Sequence, residues 1–182
     1  MKTIALFGGS FDPPHLGHKA VVDTILSTLN VDKVIVMPAY LNPFKTKVYA
    51  PPELRLKWLQ EIFSSYENVE VDDFELTCKQ KVPSLETVRH LQKKYDKIYL
   101  VIGADNLATL HKWHGYDSLK ENVIFVVASR DDTEIPQEFL SLHVSEPISS
   151  TSLRQEIKKE FLPPCVADEI EKFYKETDWK KD

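Results

Sequence analysis

Residues 3 to 37 read TIALFGGSFDPPHLGHKAVVDTILSTLNVDKVIVM, and this stretch decides the fold. Thr3 to Phe7 is a short apolar run that stops at Gly8-Gly9, whereas Leu16 to Leu29 carries Ala20, Val21, Ile25 and Leu29 at helical spacing. Lys33 to Met37 is apolar almost throughout, as a strand is when both faces of a parallel sheet are covered. The order is therefore strand, tight loop, helix and strand, one βαβ unit.

The second half repeats the plan. Lys97 to Ile102 runs into Gly103, and a short helical stretch separates it from another buried-looking run, Val123 to Val127. Between the halves lie an irregular segment from Pro38 to Ala50, a helix opened by Pro51-Pro52, a strand near Val69 to Val71 and a helix from about Ser84 to Lys94. A weaker strand around Leu142 to Val144 leads to Ile148 and a helix to about Glu160. Pro163-Pro164 then opens a last amphipathic helix through Tyr174. The alternation predicts an α/β fold in one domain over residues 1–182, a doubly wound and mainly parallel sheet. Such sheets take ligands beyond the carboxyl ends of their strands, at the switch point.

Composition narrows the partners. The 23 basic and 28 acidic residues give a net charge of −5 without a long basic run, so a polynucleotide partner is not expected. Cys78 and Cys165 stand alone without metal-type spacing, as in a reduced cytoplasmic protein. The N-terminus is too short in apolar residues for a signal peptide, and no later run approaches a membrane span.

All five glycines fall in three places, Gly8-Gly9, Gly17, and the pair Gly103 and Gly115. Residues 8 to 18 read GGSFDPPHLGH. Here the glycines free the backbone at the strand end, Pro13-Pro14 stiffen the exit, and a helix begins close to His15 or Leu16. His15 and His18 are three apart, so they share a face at the helix N-terminus, where free N–H groups attract phosphate. Gly17 between them leaves an anion room to come close. Two histidines at this spacing can also be ordinary surface or core residues, but a cation site is disfavoured by the positive helix end.

Two further segments carry polar groups at strand ends. Ile148 to Arg154 reads ISSTSLR, a strand end feeding a helix. Its hydroxyls could cap exposed N–H groups or bind phosphate oxygens, and an arginine one turn inside could grip two phosphate oxygens. A plain serine-rich cap beside a surface arginine is the alternative. Gly103 to Trp113 reads GADNLATLHKW, placing an acid where a ribose hydroxyl would sit and an aromatic plate nearby.

Together these segments resemble known signatures. GGSFDPPHLGH resembles the first signature of the nucleotidyltransferase superfamily with the HxGH motif, and ISSTSLR resembles its ISSTxxR signature. GADNLATLHKW resembles the GxDxxxxxxxW pattern of the bacterial nicotinate-mononucleotide adenylyltransferases, and Ser84 to Thr87 and Pro43 to Lys45 match places where that family contacts its mononucleotide. Many members have His where this chain has Phe44. The resemblance implies a Rossmann-like nucleotidyltransferase that moves AMP from ATP onto nicotinate mononucleotide in NAD biosynthesis. Nicotinamide mononucleotide and phosphopantetheine are the alternative acceptors, and a non-catalytic nucleotide sensor is the rival of another class. It also implies site roles. His15, His18 and Arg154 are catalytic; Gly8, Gly9, Ser10, Gly103, Asp105, Ile148, Ser149, Ser150 and Thr151 bind ATP; and Lys45, Thr87 and Trp113 bind the acceptor. Mg²⁺ enters with ATP, and no residue is assigned as a metal ligand.

Overall fold

The computed structural model describes residues 1–129, 133–146 and 148–177. Six strands form one sheet in the order β3-β2-β1-β4-β5-β6, every neighbouring pair parallel. They are β1 (Thr3–Gly9), β2 (Lys33–Pro38), β3 (Val69–Val71), β4 (Lys97–Gly103), β5 (Ile124–Ser129) and β6 (Leu140–His143). The chain starts in the middle, winds outward through β2 and β3, then returns to β4 and winds the other way. The strand order reverses between β1 and β4, which is where a doubly wound sheet opens a crevice for ligand.

The alternation of side chains along each strand builds two cores. In β1, Ile4 and Leu6 face one layer with Ile35, Met37, Ile98, Leu100 and Ile102. Ala5 and Phe7 face the other with Val34, Val36, Val101 and Val126. Helices α1 (Leu16–Thr28), α2 (Pro52–Ile62), α6 (Ser150–Gln155) and α7 (Ala167–Glu176) contribute apolar residues to the second layer. Helices α4 (Ser84–Leu91) and α5 (Tyr116–Asn122) contribute to the first, where Phe74 from α3 (Phe74–Thr77) also packs.

Most sequence boundaries hold to within a residue or two, and β1 and β4 run on through their glycines. One differs more. The helix expected from Ile148 to about Glu160 is only α6; the chain turns extended at Glu156, and Ile157 and Phe161 pack against the core from a break and a 3₁₀ turn at Lys159–Phe161. Gly103 closes β4, whereas Gly115 lies at the start of α5. Gly115 caps α5 with φ of 66°, and a Cβ there would stand 2.4 Å from Leu85 Cδ2, so both conformation and packing require glycine. Among the described residues no helix is long and apolar enough to cross a membrane.

Candidate active site

The loop from Gly8 to His18 leaves β1 and folds back onto the start of α1. His15 is the N-cap, in extended conformation, and its Nδ1 accepts from the Gly17 N–H at 3.0 Å. His18 Nδ1 accepts from the His15 N–H at 3.2 Å, which completes a reciprocal cap. Because both Nδ1 atoms accept, the proton of each neutral ring is placed on Nε2. The imidazoles stack with centroids 3.7 Å apart. Gly17 makes room for the His15 ring: a Cβ there would lie 2.8 Å from His15 Cε1 and Nδ1. Phe11, at a φ of 49° that side chains seldom adopt, is buried and packs edge-on against Phe7 and His18.

Long-range polar contacts fix the loop. Arg55 is fully buried and donates to four carbonyls: Ser10 at 2.6 Å, Ala39 at 2.8 Å, Ala50 at 3.1 Å and Tyr40 at 3.2 Å. It thereby ties the exit of β1 to the segment after β2 and satisfies loop backbone that would otherwise be buried unpaired. Burial holds its guanidinium below the usual arginine range, and nearby Asp12 opposes that. Asp12 accepts from the N–H groups of Tyr49 and Ala50 and from the Tyr174 hydroxyl, which burial and this carboxylate hold above its ordinary range. Arg154 donates to the Asp12 carbonyl at 2.5 Å and lies 4.5 Å over the Tyr49 ring, while the Ser150 hydroxyl donates to the Pro13 carbonyl at 2.8 Å. The two signature segments therefore meet, though 142 residues separate Asp12 from Arg154.

At the carboxyl ends of β1, β2 and β4 a cleft of about 1320 Å³ opens. It gathers Gly8, Gly9, Ser10, Lys45, Gly103, Asp105 and Trp113 from the sequence-predicted set, with Phe44 on its wall and 58% exposed. Lys45 Nζ donates to Ser10 Oγ at 3.1 Å. Partial desolvation and then the charge of Arg154 hold this ammonium below the ordinary lysine range, so a phosphate would be welcome beside it.

The remaining predicted residues fall elsewhere. Ser149 caps α6 by accepting from Ser152 N–H at 3.1 Å, and Ile148 and Ser149 line a smaller recess of about 420 Å³ with Leu153 and Phe161. Thr151 is exposed and meets Arg154 at 3.4 Å. Thr87 is buried and its hydroxyl donates to Glu75 Oε1 at 2.6 Å, so Glu75 and not Thr87 lines the cleft.

Sequence reasoning missed Arg55, Asp12 and Glu75. Arg55 had a signal, for it stands with Trp58, Leu59 and Ile62 at i, i+3, i+4 and i+7 on the buried face of α2. Glu75 lies between Phe74 and Leu76 in a four-residue helix too short for periodicity to reveal.

A parallel sheet in this order, with a glycine-ended β1 feeding a histidine-capped helix, defines an α/β protein of the nucleotidyltransferase class. The cytidylyltransferase-like family model matches residues 6–156. A protein of Sulfurimonas denitrificans named "Probable nicotinate-nucleotide adenylyltransferase" is 57% identical over 97% of both chains, and one of the same name from Nitratiruptor is 51% identical over 94% of this chain and 98% of its own. The chain belongs to the cytidylyltransferase-like family and, within it, to the nicotinate-nucleotide adenylyltransferases. The fold matches that of Plasmodium falciparum nicotinic acid mononucleotide adenylyltransferase complexed with NaAD, with a TM-score of 0.76 over 97% of this chain and 99% of that one at 22% identity.

Proposed function

We propose that this chain, acting as one domain, binds MgATP and nicotinate mononucleotide across the cleft and transfers AMP to the acceptor, giving deamido-NAD and pyrophosphate. The acceptor phosphate oxygen bonds to the α-phosphorus as the bond from that phosphorus to the bridging β-phosphate oxygen breaks. No group of the protein becomes covalently attached. The observation that carries this reading is a cleft at the switch point, which joins Gly8 to Ser10 with Lys45, the proposed phosphate end, to an aromatic end at Trp113. The names of the relatives and the NaAD bound by the structural neighbour support it.

The chemistry required is placement and charge neutralisation. His15 and His18 would turn Nε2–H donors to the nucleotide from the start of α1, and Arg154 keeps N–H groups beyond the two that meet Asp12 and Thr151. These would neutralise the triphosphate and the departing pyrophosphate. Gly8, Gly9 and Ser10 would place phosphates, and Gly103 and Asp105 the ribose, with Ile148 to Thr151 flanking the same nucleotide. Lys45 and Trp113 would take the acceptor's phosphate and ring, with Thr87 supporting that end from behind Glu75. Mg²⁺ would enter with ATP, held by triphosphate oxygens and water.

The test is pyrophosphate release from MgATP with nicotinate mononucleotide, nicotinamide mononucleotide or phosphopantetheine. Release with the first and formation of deamido-NAD support the reading. ATP binding without turnover with any of them would make the chain a sensor.

A further inference from the structure

The acceptor end of the cleft has a carboxyl group with one oxygen tied and one free. Glu75 Oε1 accepts from Thr87 Oγ1 at 2.6 Å, while Oε2 makes no hydrogen bond among the described residues. Glu75 lines the same cleft as Trp113, Ser84 and Val82. With Thr87 buried and Glu75 half-buried, this pair leaves one carboxyl oxygen for whatever the cleft holds. Nicotinate and nicotinamide rings differ only in a carboxylate against a carboxamide, that is, in an acceptor-only group against one that also donates. We propose that Glu75 chooses between them by its own proton: as a neutral acid its Oε2–H donates to a ring carboxylate, and as an anion it repels the carboxylate and accepts from a carboxamide NH₂. This inference rests on the acceptor reading above.

The surroundings put the change of state in the working range. Glu75 is pushed up to about 7, first by burial; the Thr87 hydroxyl pulls it down and Asp72 pushes it back up. The other charged groups around it do not reverse this. Lys45 and Asp105 stand on the cleft walls, Lys45 beside Ser10, and Lys81 donates to the Pro43 carbonyl at the rim. On α4, Glu86 pairs with Arg89 at 3.0 Å, and His90 stacks on Phe74 at 3.8 Å. On α3 itself, Asp73 is the exposed residue before the helix. Raised as it is, the carboxyl is a donor below about pH 7 and an anion above it.

The experiment is the ratio of kcat/KM for nicotinate mononucleotide to that for nicotinamide mononucleotide, measured from about pH 6 to about pH 8.5, since kcat/KM reports groups titrating in the free enzyme. Both acceptors carry the same phosphate, so its titration cancels in the ratio. Wild type should lose at least about tenfold of its acid preference over that range, with a midpoint near neutrality. Glu75→Gln, whose amide still accepts from Thr87 and always donates, should keep the acid preference with no slope. Thr87→Val removes the bond that lowers the Glu75 value, so it should move the midpoint to higher pH, which loss of packing alone would not do. A flat wild-type ratio, or a slope that survives in Glu75→Gln, overturns the proposal; acid preference retained throughout would then leave the acceptor reading intact. Amide preference at every pH overturns both. If Glu75→Gln fails to fold, the wild-type slope and the Thr87→Val shift decide.

Discussion

The imidazoles of His15 and His18 lie face to face with planes 23° apart, and each holds a backbone N–H of the first turn of α1. Under the proposed function each ring would have two duties, one in the fold and one toward a ligand. Nδ1 caps the helix; in the proposed reaction Nε2–H would donate.

The two duties separate in measurement. His18→Ala removes a donor to charge that grows on the departing pyrophosphate, so kcat should fall about 10²- to 10³-fold, as for loss of an oxyanion-type donor. The same change removes one cap acceptor and should cost about 1 kcal/mol of stability. Steady-state kinetics with thermal unfolding reads both. Near-normal kcat beside a lowered Tm would reduce His18 to a helix cap.

Gly17→Ala tests whether the His15 ring must lie where it does. Alanine favours helix over glycine by about 1 kcal/mol, which alone would stabilise the variant. The added Cβ, however, would stand 2.8 Å from the His15 ring, whose far end can swing away. The expected outcome is a protein of roughly unchanged Tm whose kcat drops toward that of His15→Ala. Full activity would show that the ring's position over the helix is not needed.

These two residues illustrate what a linear sequence discloses. Glycines at the strand end, histidines three apart and apolar runs of strand length are local signals, and the βαβ halves and both signature segments could be read from them. The contacts that lock those segments are not local. Asp12 meets Tyr174 across 162 positions, and Arg55 reaches Ser10 across 45. Nothing in neighbouring residues marks such partners, because they are set by which loops the sheet order brings together. Thr87 shows the same limit: its hydroxyl could be foreseen as a donor, but its recipient, Glu75, is part of the protein and comes from a separate helix.

Arg154→Lys follows from the guanidinium's geometry. Its planar fork spans the Asp12 carbonyl and the Thr151 hydroxyl while lying over the Tyr49 ring, and it has donors to spare. A lysine ammonium is a point charge that cannot hold the carbonyl and grip a phosphate oxygen in the same fixed plane. With ATP as the varied substrate, kcat/KM should fall by about tenfold or more, the worth of roughly 1.4 kcal/mol. Parity with wild type would leave the ISSTSLR segment as a helix cap and nothing else.

Trp113 separates affinity from choice. It lines the cleft from the end of the 3₁₀ turn at Leu110–Lys112 and packs against the core layer that holds Leu110 and Leu119. Its indole Nε1 is buried without a hydrogen-bond partner among the described residues, so it offers the cleft ring surface rather than a donor. A ring surface is the same to a nicotinate and to a nicotinamide ring. Removing it in Trp113→Ala should therefore weaken both acceptors alike, by about two- to tenfold if the stack is worth about 0.5–1.5 kcal/mol. Their ratio at a fixed pH should not move. Trp113→Phe keeps a ring and removes the unpaired N–H, whose burial is costly, so it should retain most activity without loss of Tm. Acceptor titrations of the two variants, run at one pH with both mononucleotides, check this. A ratio that changes in Trp113→Ala would mean that the indole takes part in telling acid from amide, and the selectivity assigned to Glu75 would have to be shared with it.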